Sequence, residues 1–185
     1  MLFGHDTEVS LAEAAALVNT VDSDGDTLVT LADLDEFLAH HPYSGVIRRT
    51  PEELESVRAL RPRLRRFWTV KDRDKVVALV NDILDEADAR PYLSRHDEWD
   101  WHLHVTRPEA PLADRIAAEA AMALLELIRS DALGRLRICA AEDCEDVVID
   151  LSKNSSKRYC DTGNCGNRTN VAAYRARRRR QSPPL

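Results

Sequence analysis

The chain has 185 residues, of which 44% are hydrophobic and 31% are charged, enough for one medium-sized domain with a small appendage. No apolar run approaches the roughly 20 residues of a membrane-spanning helix, so we expect a soluble protein with no membrane partner. The first residues lack the basic stretch and the apolar run of a signal peptide, and we therefore expect a cytoplasmic location.

The formal net charge of −6 hides a strong asymmetry between the two ends of the chain. Residues 151–185 contain nine Lys and Arg against one acid, Asp161, so this segment carries +8 and the first 150 residues carry −14. A basic end on an acidic body is typical of a chain that meets an anionic polymer with one end only. The acidic body would itself repel DNA and so orient the approach.

Apolar residues at helical spacing predict four helices in the first half of the chain. Ser10 is the expected cap of the first helix. Thr30 and Asp33 form a predicted capping box at the start of the second, and Thr50 caps the third. The four helices are predicted over residues 10–20, 30–40, from 50 onward with a kink or break at Pro62, and 75–87.

Residues 92–105 change period and predict a β-hairpin. His102 and His104 share one face of a strand, opposite to the apolar residues. The apolar face, which we expect to be buried, contains Trp99, Trp101, Leu103 and Val105; the partner strand includes Tyr92 and Leu93, and the turn includes His96, Asp97 and Glu98. The two histidines could bind a metal ion or a ligand phosphate together, although such alternation more often marks the solvent-exposed face of a sheet.

Residues 112–130 contain the longest amphipathic helical pattern, and its wide apolar stripe predicts a helix at the centre of the body. Gly134 marks the end of this helix and a domain junction. The predicted fold class is therefore α+β and mostly helical, with a helical body and a small β-hairpin over residues 1–134.

All four cysteines lie near the end of the chain, in two pairs of equal spacing. Four residues separate Cys139 from Cys144, four separate Cys160 from Cys165, and fifteen separate the two pairs. This arrangement is typical of a chain that closes a tetrahedral zinc site, and four thiolates leave no coordination position open. Two disulfides or four unrelated thiols are the alternative, but a reducing location favours one structural Zn²⁺.

Residues 135–180 are predicted to form a small zinc lobe. Residues 147–149 form a strand that pairs with residues 135–138, which places the first cysteine pair on the connecting turn. A helix begins at about Cys165 or Asn167 and runs towards Arg179. The lobe is thus a treble-clef-like ribbon followed by one basic helix, and residues 181–185 are expected to be a disordered tail.

The helix of the lobe is rich in arginine, whose planar guanidinium suits phosphate recognition. We expect Val171 and Tyr174 to face the lobe while the arginines point outward to duplex DNA. Asn167 and Arg168 are the residue types that pair with adenine and guanine; equally, residues beside a zinc ligand often cap helices or hydrogen-bond the sulfurs. The predicted DNA contacts are Asn167, Arg168, Arg175, Arg177, Arg178 and Arg179.

Residues 165–168 spell CGNR and are followed by the basic segment AYRARR. With these motifs, the chain closely resembles the CGNR zinc-finger family of bacterial proteins, whose N-terminal portion is called the ABATE domain. Further matching positions are Asp150 and Ser152 of a D-x-S motif, Arg158 and Tyr159 before the third cysteine, and the VNT segment of Val18, Asn19 and Thr20. The resemblance implies a stress-related transcription regulator that binds DNA.

These observations predict a zinc-finger regulator that is not an enzyme, because the sequence has no glycine-rich phosphate loop and no HExxH, and a four-thiolate zinc has no open site for water. One alternative is a zinc-stabilised module that binds RNA or an acidic protein. Another is a small-molecule-binding body, with an effector at His102 and His104 and the zinc lobe as scaffold. A homodimer would suit a palindromic operator, but nothing in the sequence requires one.

Overall fold

A computed structural model of the protein describes residues 2–22, 25–95 and 101–181, with residues 176 and 179–181 described by their backbone only. Within these ranges the chain forms six α-helices and two antiparallel two-stranded hairpins, which confirms the mostly helical α+β class. The helices are α1 (His5–Val18), α2 (Leu31–His40), α3 (Pro51–Thr69), α4 (Arg73–Glu86), α5 (Leu112–Arg129) and α6 (Cys165–Gln181). The strands are β1 (Tyr92–Ser94), β2 (His102–His104), β3 (Leu136–Ile138) and β4 (Val147–Ile149). No helix in the described ranges is long and apolar enough to cross a membrane.

Local capping signals set the starts of α2 and α3 as predicted. The Thr30 hydroxyl accepts from the backbone N–H of Asp33, and the Asp33 carboxylate accepts from the backbone N–H of Thr30, which completes a capping box. Thr50 caps α3 in the same way, by accepting from the backbone N–H of Glu53 at 3.2 Å. Helix α3 continues through Pro62 to Thr69 and is not divided in two.

Helix α1 begins earlier than predicted. It starts at His5, so Ser10 lies inside the helix and the prediction that Ser10 caps it was wrong. Asp6 and Glu8 lie in the first turn, where carboxylates stabilise a helix N-terminus. Glu8 also accepts hydrogen bonds from two backbone N–H groups just before the helix. The acidic first turn therefore extends the helix upstream of the serine.

Helix α5 lies at the centre of the body, as its wide apolar stripe predicts. It packs against α1, α3 and α4. Ile116, Leu124 and Leu127 on this helix are buried almost completely, and Trp68 of α3 is the largest fully buried side chain. These residues belong to one core that the helices surround.

The hairpin of β1 and β2 exposes most of the apolar face that was predicted to be buried, although Val105, just after β2, is buried as predicted. Leu93 and Trp101 are 65% and 64% exposed, and Leu93 pairs with the partly exposed Leu103 in the hairpin register. His102 and His104 are half-buried instead, so they do not form a fully solvent-exposed face, which was the alternative to a ligand-binding role. The pattern of the hairpin alone does not include its neighbour on the body, the Glu119 carboxylate of α5, which lies 3.9 Å from the Nδ1 atom of His104. The predicted strand residue Trp99 and the turn residues His96, Asp97 and Glu98 lie outside the described residues.

The ribbon of β3 and β4 packs on the helical body and not apart from it. Leu136, Val147 and Ile149 belong to the main core, whereas Val148, on the other face of β4, packs with the cysteines. The Asn19 side chain binds both backbone groups of Val147, donating to its carbonyl at 2.9 Å and accepting from its N–H at 2.8 Å. The body and the ribbon therefore share one core.

Candidate metal centre

Three separate parts of the chain position the four cysteines. Cys139 and Cys144 lie on the turn between β3 and β4, as predicted, and the backbone N–H of Cys139 donates to the carbonyl of Asp146 at 2.8 Å. Cys160 lies on the loop after β4, and Cys165 is the first residue of α6. A hydrogen bond from the backbone N–H of Ala140 to the carbonyl of Arg158 holds that loop against the turn.

The four cysteine sulfurs lie together with tetrahedral spacing. All of them lie within 4.8 Å of one another, with Sγ separations of 3.7 Å for Cys144 and Cys160 and 3.5 Å for Cys160 and Cys165. Four Zn–S bonds of about 2.3 Å in a tetrahedron place the sulfurs about 3.8 Å apart. None of the four cysteines is in a disulfide. The centre therefore fits one zinc ion, and the disulfide alternative fails.

The electrostatics of the centre also favour a metal ion. Burial raises the pKa of the Cys144 thiol to about 12, so the protein alone disfavours the charged form of this ligand. A hydrogen bond from Arg168 lowers the pKa of the Cys165 thiol. A zinc ion supplies the positive charge that stabilises the four thiolates, three of which are buried, and its binding releases their protons.

Arg168, the arginine of the CGNR motif, contacts the centre directly. Its guanidinium donates to the Sγ of Cys165 at 3.2 Å and forms an ion pair with Asp143 at 3.1 Å. Of the two roles considered for this residue, the structure therefore supports the contact with the zinc ligand. Asn167 is exposed beside it on the first turn of α6.

Asp150 organises the loop that carries Cys160 to the centre. This carboxylate is fully buried and accepts from the backbone N–H groups of Ser152 and Lys157, both at 3.0 Å. Arg137 of β3 forms an ion pair with it at 3.2 Å and donates to three more oxygens of the same loop. The D-x-S motif thus has a structural role. The sequence analysis missed Arg137. Its position on β3, the strand that pairs with the strand just before the D-x-S motif, could have indicated this contact.

The glycine of the CGNR motif allows a close approach of the loop. A Cβ atom at Gly166 would lie 3.3 Å from the ring of Tyr159, which is tighter than an ordinary van der Waals contact. Tyr159 itself packs with the buried cysteines. A small residue at this position therefore lets the aromatic ring cover the start of α6.

Helix α6 extends from the centre as a basic helix with an exposed surface. Val171 and Tyr174 are 39% and 53% exposed, so the prediction that they pack against the lobe was wrong. The sequence pattern was misleading. Helix α6 has many arginines and no acid, and two apolar residues among them are too few to form a buried face. Of the predicted DNA contacts on this helix, Arg175, Arg177 and Arg178 are exposed, and the side chain of Arg179 lies outside the described residues.

The structure also brings together the two histidines that were candidates for ligand binding. The Nε2 atoms of His102 and His104 lie 2.9 Å apart. They belong to the other hairpin and take no part in the cysteine centre.

Comparison with known families extends over most of the chain. Residues 135–178 match the model of the CGNR zinc finger. Residues 12–131 match the model of the ABATE family, described as "Putative stress-induced transcription regulator". A search of the curated proteins found no match. Because the ABATE match spans more than half of the chain and the zinc-finger match follows it, the protein belongs to the ABATE family and carries a CGNR zinc finger.

Proposed function

We propose that this protein is a DNA-binding transcription regulator in which a structural zinc ion holds α6 in position on duplex DNA. The observation that carries the proposal is the exposed, acid-free surface of α6, which starts at a zinc ligand. No acid follows Asp161 in the sequence, while six arginines occur from Arg168 to Arg180. The regulator description of the ABATE family supports the same function.

The order of side chains around α6 suits a helix that enters the major groove. Helical periodicity places Asn167, Val171, Tyr174 and Arg178 along one side, with Arg175 and Arg177 on the two flanks of this stripe. The seventeen residues of α6 extend over about 25 Å at 1.5 Å per residue. Central polar and aromatic groups can reach base edges while flanking arginines contact phosphates.

The acidic body restricts how the protein can approach DNA. With −14 on the first 150 residues and +8 on the remainder, the body is repelled by the polyanion that α6 attracts. Because the body and the ribbon share a core, the direction of this repulsion is fixed relative to the zinc centre. The proposal therefore predicts a single docking orientation.

The test is a selection of genomic DNA fragments on the untagged, zinc-loaded protein at about 150 mM salt, where unspecific binding to a basic helix is weakened. A Cys160→Ser variant runs in parallel. We expect enrichment of a few related sites by the wild type and none by the variant. The spacing of any half-sites reports whether a homodimer binds.

A second comparison distinguishes a specific contribution of α6 to DNA binding from the general effect of positive charge. Replacing Arg175 and Arg178 by alanine should weaken DNA binding and reduce the slope of log K against log salt by about 0.9 for each lost phosphate contact. The matched control replaces Arg90 and Arg129, which are 70% and 72% exposed elsewhere on the protein. Equal losses in the two variants, or uniform recovery of all fragments, would reject the proposal in favour of a module that binds RNA or an acidic protein.

A further inference from the structure

His102 and His104 of β2 turn their Nε2 atoms towards each other at 2.9 Å. At this separation the two nitrogens cannot both carry a proton, because two N–H groups would collide. The two rings therefore share one hydrogen bond, in which one Nε2–H donates to the lone pair of the other Nε2. A metal ion that replaced this shared proton would meet two converging nitrogens, and neutral imidazole is the common ligand of transition-metal ions in proteins.

The hairpin holds these histidines inward against its hydrophobic pattern. It exposes about two thirds of Leu93 and Trp101, while the side chain of His104 is only 11% exposed. Exposing apolar groups in order to bury polar ones costs free energy, and such a conflict between pattern and packing is expected at a functional site. The orientation of the hairpin therefore indicates a use for the histidine face.

Groups from two neighbouring elements contact His104. The ring of Tyr92 on β1 stacks on it, with centroids 5.7 Å apart. The Glu119 carboxylate of α5 lies 3.9 Å from the Nδ1 atom, on the side opposite to the lone pair. Behind Glu119, Glu13 of α1 forms a hydrogen bond with the buried Tyr43. A carboxylate behind the second nitrogen of a histidine is the usual way in which proteins orient a metal-binding imidazole.

We propose that His102 and His104 bind a divalent transition-metal ion between their Nε2 atoms, with Glu119 as the positioning residue of His104. Two metal–nitrogen bonds of about 2.1 Å separated by 2.9 Å enclose an angle of about 90°. This angle is that of an octahedral or tetragonal site and differs from the tetrahedral angle of the cysteine centre. The site is thus of another type, suited to Ni²⁺ or Cu²⁺ with further ligands from solvent.

The surroundings favour a cation over an anion such as phosphate. The Glu119 carboxyl next to His104 interacts electrostatically with the carboxyl of Glu13 on α1 and with Arg115 on its own helix. A bound divalent ion would attract the two carboxylates, whereas a bound phosphate would be repelled by them. The region next to the histidines therefore has the charge that complements a metal ion.

The test is a titration of the untagged, zinc-loaded protein with Ni²⁺, followed by calorimetry, with metal analysis of the same sample to show that the cysteine centre keeps its zinc. We expect one Ni²⁺ ion per chain in addition to one Zn²⁺. His102→Ala and His104→Ala should remove the nickel site, and Glu119→Gln should weaken it about 10- to 100-fold. The control is His40→Ala, which changes an exposed histidine on another element.

A spectroscopic measurement distinguishes a positioning role of Glu119 from a loss of folding in the Glu119→Gln variant. In the nickel complex, the Nδ1–H proton of His104 should give a strongly shifted NMR signal, which Glu119→Gln should move while far-ultraviolet circular dichroism stays unchanged. His102→Gln serves as a second variant if the alanine substitution unfolds the hairpin. Failure of the zinc-loaded wild type to take up Ni²⁺, or nickel binding that survives both histidine substitutions, would overturn the proposal.

Discussion

Arg168 lies between a zinc ligand and Asp143, and this position gives it a measurable effect on the metal. Hydrogen bonds to ligand sulfurs stabilise the thiolate form, and the loss of such a contact typically costs about 10- to 100-fold in metal affinity. We therefore predict that Arg168→Ala weakens zinc binding by that factor. Competition with a chromophoric chelator of known zinc affinity measures the change.

Two further variants give this prediction its specificity. Arg168→Lys keeps the charge but loses the planar fork of donors, so its zinc affinity should be intermediate. Arg175→Ala removes the same charge from an exposed position further along α6 and should leave zinc affinity unchanged. Equal zinc affinity in the wild type and Arg168→Ala would mean that Arg168 serves another purpose.

Glu13 makes the stability of the body depend on pH. Burial raises its pKa from 4.5 to about 7, so the folded protein binds this proton more tightly than the unfolded chain does. Its contribution to stability is full below pH 4.5 and is lost as the pH rises to about 7 and beyond. At 1.36 kcal/mol per pKa unit, the loss reaches about 3 kcal/mol.

We accordingly predict that Glu13→Gln flattens the fall in the free energy of unfolding between pH 5 and pH 7. Urea denaturation of the zinc-loaded protein at several pH values in that range measures the slope. Glu109→Gln, at an exposed position, is the control and should retain the wild-type slope. If the variant had the same slope as the wild type, a group other than Glu13 would cause the pH dependence.

Among the secondary-structure elements, the features that were predicted correctly from the sequence are those that depend on residues close together in the chain. The caps of α2 and α3 require only residues three apart, and the cysteine pairs require only their spacing. The orientation of the β1–β2 hairpin places His104 next to Glu119 of α5, a residue that the pattern of the hairpin itself does not contain. The contact of Asn19 with Val147 spans 128 positions, so only the fold brings the two together.

The zinc centre divides the C-terminal elements into two groups with different sources of stability. The ribbon packs Val147 and Ile149 into the main core. Helix α6 is largely exposed, so it gains little from the tertiary packing that supplies most of the stability of helices in proteins. The ribbon should therefore keep its structure without zinc, whereas α6 and the loop that bears Cys160 should not.

We predict that chelation of zinc increases amide hydrogen exchange from residue 158 to residue 178 and leaves β3 and β4 protected. Exchange detected by mass spectrometry with and without chelator measures this difference. The Cys160→Ser variant should show the same pattern with no chelator present. Loss of protection throughout the ribbon would show that the metal, and not the shared core, holds these strands.

For the whole molecule, the shared core means that the sequence boundary near Gly134 does not separate two independent cores. Trp68 of the body donates from its indole N–H to the carbonyl of Val148 at 3.0 Å, and Asn19 binds Val147. Both donors are left without these partners if the ribbon is removed. Leu136, Val147 and Ile149 contribute about 1.5–3 kcal/mol each by burial, several kcal/mol in total.

A loss of that size is comparable with the whole stability of a typical domain, about 5–15 kcal/mol. We therefore predict that a fragment of residues 1–134 lacks fixed tertiary packing, with weak near-ultraviolet circular dichroism and strong binding of a hydrophobic dye. A fragment of residues 1–151, which keeps the ribbon but not the second cysteine pair, should retain the signal of the buried Trp68. If the shorter fragment unfolded cooperatively in urea and were as stable as the longer fragment, this result would contradict the shared core. The expected difference would mean that changes in the ABATE segment act on the zinc finger through the ribbon, which belongs to the zinc finger and packs into the core of the body.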